Sequence, residues 1–216
     1  DAVTMLLGGE QGEAYRESME QEQEPKKPFI LPEANRTMHR AFAYLVKTRC
    51  LDPKVVSVFA RRHMIYEDAK YHNAVFVGFD VDGIPHHAHK RGTCQRGKTF
   101  KGNVESCDPR YSFHWIGKSD TVYVFEAPID MLSFISMYQK DWMEHSYVAL
   151  CGVAEHALLQ LLEDVPHLSK IALCLDHDKA GIEAGERIKK RLSERGYRDV
   201  FPLFSCQKDW NEDLQA

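Results

Sequence analysis

The C-terminal half of this 216-residue chain alternates short apolar runs with helix-periodic stretches, and few arrangements satisfy that pattern. TVYVFE, SYVALCG and KIALCLDHD have apolar centres, as strands buried on both faces require. Between them lie PIDMLSFISMYQ, with Pro128 at its first turn, and EHALLQLLEDV; after them KAGIEAGERIKKRLSERG runs to a stop at Gly196. RDVFPLF reads as a last strand. Strand–helix–strand order of this kind predicts an α/β fold, with a mostly parallel sheet flanked by helices and joined by right-handed crossovers.

The preceding residues read differently. Residues 1–34 are polar and acidic, with EQEQEPKKP at their centre, and are expected to be a disordered tail or linker. From Asn35, Met38, Phe42, Leu45 and Val46 recur at helical spacing, and a second helix fits Pro53 to His63. AVFVGF, the turn DVDG and IPHHAHKR predict a hairpin, which TFKGNV and SFHWIG extend into a small antiparallel sheet. The expected layout is thus a tail over 1–34, a small α+β domain with a basic loop over 35–117, and the α/β domain over 118–216.

Composition narrows the function classes. No run of about 18 apolar residues occurs, so no membrane-spanning helix is expected. The first residues lack a basic start and long apolar stretch, so no signal peptide is expected. Six scattered cysteines with no CxxC pair argue against a zinc ribbon, and Cys151 and Cys174 read as buried free thiols. Together these predict a reducing, cytoplasmic setting. The net charge of −4 rules out a bulk polycation, so a nucleic-acid binder must gather its cations locally. Lys90, Arg91, Arg96, Lys98 and Lys101 do cluster, interleaved with Gly92, Gly97 and Gly102, where backbone can approach phosphate. A solvated basic loop is the plainer alternative.

In open α/β sheets ligands gather at the carboxyl ends of strands. Glu126 stands at one such end, Asp176 and Asp178 at another, and residues two apart on extended backbone face one way. Carboxylates crowded into one cleft resist ionising together, a conflict that a divalent cation removes; all-oxygen ligation suits Mg²⁺ or Mn²⁺. The alternative is that Asp178 caps the following helix and Glu126 merely ends its strand. His86, His87 and His89 are given no role, and Tyr111 and Tyr123 are not expected to be nucleophiles.

FEAPIDMLSF, ALCGVAEHALLQL and IALCLDHDKAGIEAGERI resemble the successive motifs of the TOPRIM family, whose members include bacterial primases, topoisomerases, recombination-repair proteins and nucleases. The small residues after the Asp pair are similar to the primase branch, and the likeness covers roughly residues 118–213. It implies a Rossmann-like TOPRIM domain in which Glu126 is a general acid/base or metal ligand and Asp176 and Asp178 hold Mg²⁺. Asp130, one turn beyond Glu126, stands where the family often has another acid; the alternative is an acid favoured by the helix dipole. QKDWNEDL is similar to the acidic element after the last TOPRIM strand in primase-like proteins, which implies phosphate contact by Lys208 and metal support by Asp209. A polar turn anchored by Trp210 is the competing reading. YHNAVFVGFDVDGIPHHAHKRG resembles an uncharacterised domain that precedes TOPRIM in proteins of plasmids and integrative elements.

Three functions follow from this resemblance. The first is a primase-like nucleotidyltransferase of mobile-element DNA replication or transfer, using nucleotides on single-stranded or template-primer DNA beside replication or transfer proteins. The second is a TOPRIM nuclease or nickase, and the third a non-catalytic DNA-binding accessory module. Primases carry a zinc-binding template module, for which this chain has no cysteine pair.

Overall fold

A computed structural model describes residues 27–94, 99–152 and 154–216. Strands β1 (Ile65–Glu67), β2 (Ala74–Phe79), β3 (Pro85–Arg91) and β4 (Lys101–Asn103) form an antiparallel sheet in sequential order. The hairpin β2–β3 is the one read from the sequence, and β1 adds an edge that its three residues did not reveal. Among the described residues two helices precede and cover this sheet. Helix α1 (His39–Ala43) runs directly into a π-helical turn, Tyr44–Thr48. Helix α2 (Pro53–Arg61) has Pro53 in its first turn and the Asp52 side chain accepting from the N–H groups of Lys54 and Val55, a complete N-cap.

The second sheet contains β5 (His114–Trp115), β6 (Thr121–Phe125), β7 (Ser146–Ala149), β8 (Lys170–Leu173) and β9 (Asp199–Pro202), in the order β5-β7-β6-β8-β9. All its pairings are parallel except β5 with β7. The segment SFHWIG therefore leaves the first sheet, where the sequence had placed it, and closes the edge of the second. Helices α3 (Pro128–Met137), α4 (His156–Asp164) and α5 (Lys179–Glu194) alternate with the parallel strands as expected, and α6 (Trp210–Gln215) ends the chain.

Two apolar clusters hold the layers together. One lies between the second sheet and α4 and α5, around Leu158, Ile171, Ile188 and Leu192. The other crosses the boundary between the two sheets: Phe59 of α2 and Phe76 of β2 share it with Phe113, Trp115, Phe134 and Trp142. Phe59 lies 5.3 Å from both Phe113 and Trp115 and stacks on Trp142 at 5.6 Å. Close approach here needs Gly78, where a Cβ would lie 1.7 Å from the Tyr111 carbonyl oxygen. A shared core makes the two halves one packed body, so the cleft between them has fixed walls.

The end of the expected tail is also packed. Phe29 and Leu31 lie against the outer face of the first sheet, Tyr66 donates to the Pro32 carbonyl at 2.6 Å, and Ala34 bridges Asp68. The apolar PFILP stretch supplies the reason: it has surface to bury, which EQEQE lacks.

Candidate active site

A cavity of about 470 Å³ opens where the carboxyl ends of the parallel strands face β3 and β4. Its floor carries Glu126, Asp130, Asp176 and Asp209, and its rim Arg49, Arg91, Lys101 and Lys208.

Glu126 follows β6 and Asp176 follows β8, neighbouring parallel strands in register from Thr121↔Lys170 to Val124↔Leu173. That adjacency brings two acids fifty positions apart in the chain to one sheet edge. Glu126 Oε1 and Asp176 Oδ1 are both buried and neither has a hydrogen-bond partner. An unsatisfied buried carboxylate oxygen costs on the order of 1–3 kcal/mol or more, so two side by side mark a place built to receive something. Burial raises the Glu126 carboxyl to about 7, helped by the Asp176 charge, while the Asp176 main-chain N–H pulls it back. Burial likewise lifts Asp176 to about 6, with Asp209 and Asp178 adding repulsion and Lys208 and Lys101 opposing it.

Asp130 sits in the first turn of α3, 8% exposed. Burial first, then the Asp209 charge, raises it to about 8. It accepts from the Asn211 main-chain N–H at 3.3 Å. Asp209 is the N-cap of α6, accepting from Glu212 N–H at 2.8 Å. Trp210 is packing, as the sequence suggested: it is 2% exposed and donates to the Cys174 carbonyl at 2.9 Å.

Asp178 has a different setting from its neighbour. It caps α5, with Oδ1 accepting from Gly181 N–H at 3.0 Å, and that bond holds its carboxyl below the usual range. Its other oxygen lies 3.7 Å from Lys208 Nζ. Among the described residues no three His, Cys, Asp or Glu side chains form a metal cage. The paired Glu126 and Asp176 nonetheless fit Mg²⁺, which is held by one or two carboxylates plus water and substrate phosphate rather than by an all-protein shell.

The basic residues divide by strand alternation. Arg91 and His89 of β3, with Lys101 and Asn103 of β4, line the cavity. Lys90 lies between them on the opposite face, its ammonium 5.5 Å from the Phe100 ring centroid. Arg96 and Lys98 lie outside the described residues.

Sequence reasoning missed Arg49 and Asn211. Asn211 is 3% exposed; its Nδ2 donates to the Arg49 carbonyl at 2.8 Å and to Ser133 Oγ at 2.9 Å, while Arg49 Nη1 donates to Asn211 Oδ1 at 3.2 Å. This reciprocal pair ties the residue after the π turn Tyr44–Thr48 to α6, directly beside Asp130.

A parallel sheet with paired carboxylates at its strand ends, faced by a basic antiparallel sheet, defines the class of this fold. Residues 123–214 match the Toprim-like family and form a Toprim-like domain. Residues 43–119, immediately before it, match the family described as protein of unknown function (DUF3991). An uncharacterised protein of Bacillus anthracis, pXO2-78, is 25% identical over 99% of this chain and 68% of its own length. The Aquifex aeolicus primase, in its zinc-binding and RNA polymerase domains, is similar in structure with a TM-score of 0.58 at 16% identity, over 84% of this chain and 53% of that one. A DnaG primase catalytic domain bound to single-stranded DNA gives a TM-score of 0.53 at 14% identity, over 83% of this chain and 67% of that one. The chain thus spans only about half of the longer primase structure, and these likenesses are likenesses of fold.

Proposed function

We propose that this chain is a Mg²⁺-dependent, primase-like enzyme that transfers nucleotides onto nucleic acid, with DNA as template. The observation that carries this reading is the pair of buried, unpartnered oxygens on Glu126 and Asp176, facing Arg49, Arg91 and Lys101 across one cavity. Acids that lack partners call for a cation, and the opposing cations call for phosphate; a metal–phosphate complex satisfies both sides at once.

In this reading Glu126 and Asp176 hold Mg²⁺, with Asp209 and Asp130 close behind and Asp178 completing the acidic edge. Bound Mg²⁺ supplies neutralisation of the charge that develops on phosphate oxygens during phosphoryl transfer. Burial lifts the Glu126 carboxyl to about 7 in the absence of a cation, and bound Mg²⁺ would offset that by favouring the ionised, ligating form. Lys101 and Lys208, whose charges already bear on Asp176, attract and orient phosphate. Single-stranded or template-primer DNA lies along the basic side of the first sheet. The fold shared with a primase domain bound to single-stranded DNA supports this placement. Replication or transfer of a mobile element, alongside replication or transfer proteins, is the setting this implies.

The test is a labelled single-stranded template incubated with Mg²⁺, with and without nucleotides. Nucleotide-dependent products that disappear in Glu126→Gln support the reading. Shortened template formed without nucleotides points instead to a nuclease, and no Mg²⁺-dependent product of either kind overturns the enzymatic reading.

A further inference from the structure

The backbone leaves α geometry at Tyr44–Thr48, where a π turn ends helix α1. Its signature is the main-chain N–H of Arg49 donating to the Tyr44 carbonyl, five residues back, at 3.0 Å. The next residue, Cys50, has φ 58°, a left-handed conformation that a non-glycine residue adopts at a cost of about 1 kcal/mol or more. Two unfavourable backbone features therefore flank one arginine, and widened turns of this kind gather at functional sites.

Their effect is to lay residue 49 over residue 44. The Arg49 guanidinium carbon lies 5.4 Å from the Tyr44 ring centroid, and Arg49 Nε donates to Tyr44 Oη at 2.8 Å. Arg91, arriving from β3, donates its own Nε to the same oxygen at 3.3 Å. Tyr44 is 4% exposed and so has no freedom to turn away. One buried hydroxyl thus holds two guanidinium groups, each by its Nε, at the cavity that both arginines line. Arg49 Nη1 is taken up by Asn211 at 3.2 Å. Neither arginine has a carboxylate partner among the described residues. Two like charges fixed side by side repel until an anion lies between them.

We propose that Tyr44 is a positioning residue, which sets Arg49 and Arg91 as a clamp on the polyphosphate tail of a nucleotide whose metal-bound end lies at Glu126 and Asp176. Paired planar forks match adjacent phosphates, whereas a single phosphate engages one of them. This inference rests on the nucleotide-transfer reading and names the part of the cavity that distinguishes a triphosphate from a monophosphate.

The experiment measures ATP and AMP binding to the full chain in Mg²⁺ by calorimetry, for wild type and Tyr44→Phe, with Mn²⁺ affinity and thermal melting as controls. The expected result is a loss of roughly ten-fold in ATP affinity, with a much smaller loss for AMP and Mn²⁺ affinity unchanged. In an Arg91→Ala background Tyr44→Phe is expected to add much less, because it acts through the arginines. Tyr44→Phe that binds ATP like wild type, or that loses ATP and AMP alike, overturns the clamp while leaving the wider reading intact. Wild type that binds no ATP overturns both. Should Tyr44→Phe not fold, Arg91→Lys, which keeps the charge and loses the planar fork, reads the same way: selective loss of ATP supports the clamp, and undiminished ATP binding overturns it.

Discussion

Lys208 Nζ lies 3.7 Å from Asp178 Oδ2, while the other oxygen of that carboxylate caps α5. The pairing joins the lead-in of the last helix to the end of β8 and leaves Asp178 with local partners for both oxygens. Asp176, two residues earlier, keeps a buried oxygen with none. Two acids with almost the same sequence context thus have opposite electrostatic positions, one lowered and one raised to about 6.

This contrast makes Asp178 separable into a cap and a charge. Asparagine caps a helix about as well as aspartate, whereas alanine does not cap. Asp178→Ala is expected to lose about 1 kcal/mol in urea denaturation, and Asp178→Asn less than half of that. If Asp178 also serves the metal, Asp178→Asn will lose Mg²⁺-dependent activity at nearly unchanged stability. Full activity in Asp178→Asn would confine the residue to its cap.

Gly181 lies where the first turn of α5 passes under the strand end, and a Cβ there would meet the Asp176 carbonyl oxygen at 2.1 Å. Gly181→Ala should therefore push Asp176 out of place as well as strain the helix start. A loss of about 1–3 kcal/mol by chemical denaturation, accompanied by weakened Mn²⁺ binding, is the expected outcome. Wild-type stability would mean that the turn relaxes more readily than its packing suggests.

His87 is fully buried in β3 with no partner for either ring nitrogen. Burial, reinforced by the neighbouring His89, lowers it from 6.5 to about 4. Because the unfolded chain binds the proton more readily, this residue's contribution to stability is complete above pH 6.5 and is lost as pH falls toward 4, by on the order of 3 kcal/mol. Thermal melts across that range should show a shallower acid-side fall for His87→Leu than for wild type. Parallel curves would mean that His87 takes up its proton without cost.

The parallel half of the fold was legible because strands buried on both faces must be apolar along their length, and Glu126 and Asp176 stood out as the polar ends of such runs. Extended backbone runs on through Asp178, yet its carboxyl is engaged by Gly181 N–H and Lys208, which spacing alone does not reveal. Strand β5 has two residues, too few for any period, and its place is decided by pairing with β7. Arg49 and Asn211 are 162 positions apart, and nothing local in either segment signals the other. Tyr44 was hidden for a related reason: Met38, Phe42, Leu45 and Val46 read as a regular helix, and a π turn leaves no mark on that spacing.

A crystal soaked in Mn²⁺ and measured at the manganese absorption edge shows whether Glu126 and Asp176 share a cation. An anomalous peak is expected in the cavity within bonding distance of both Glu126 and Asp176, absent from Glu126→Gln. A cavity without a peak, or manganese bound only at some other surface, would contradict a shared cation.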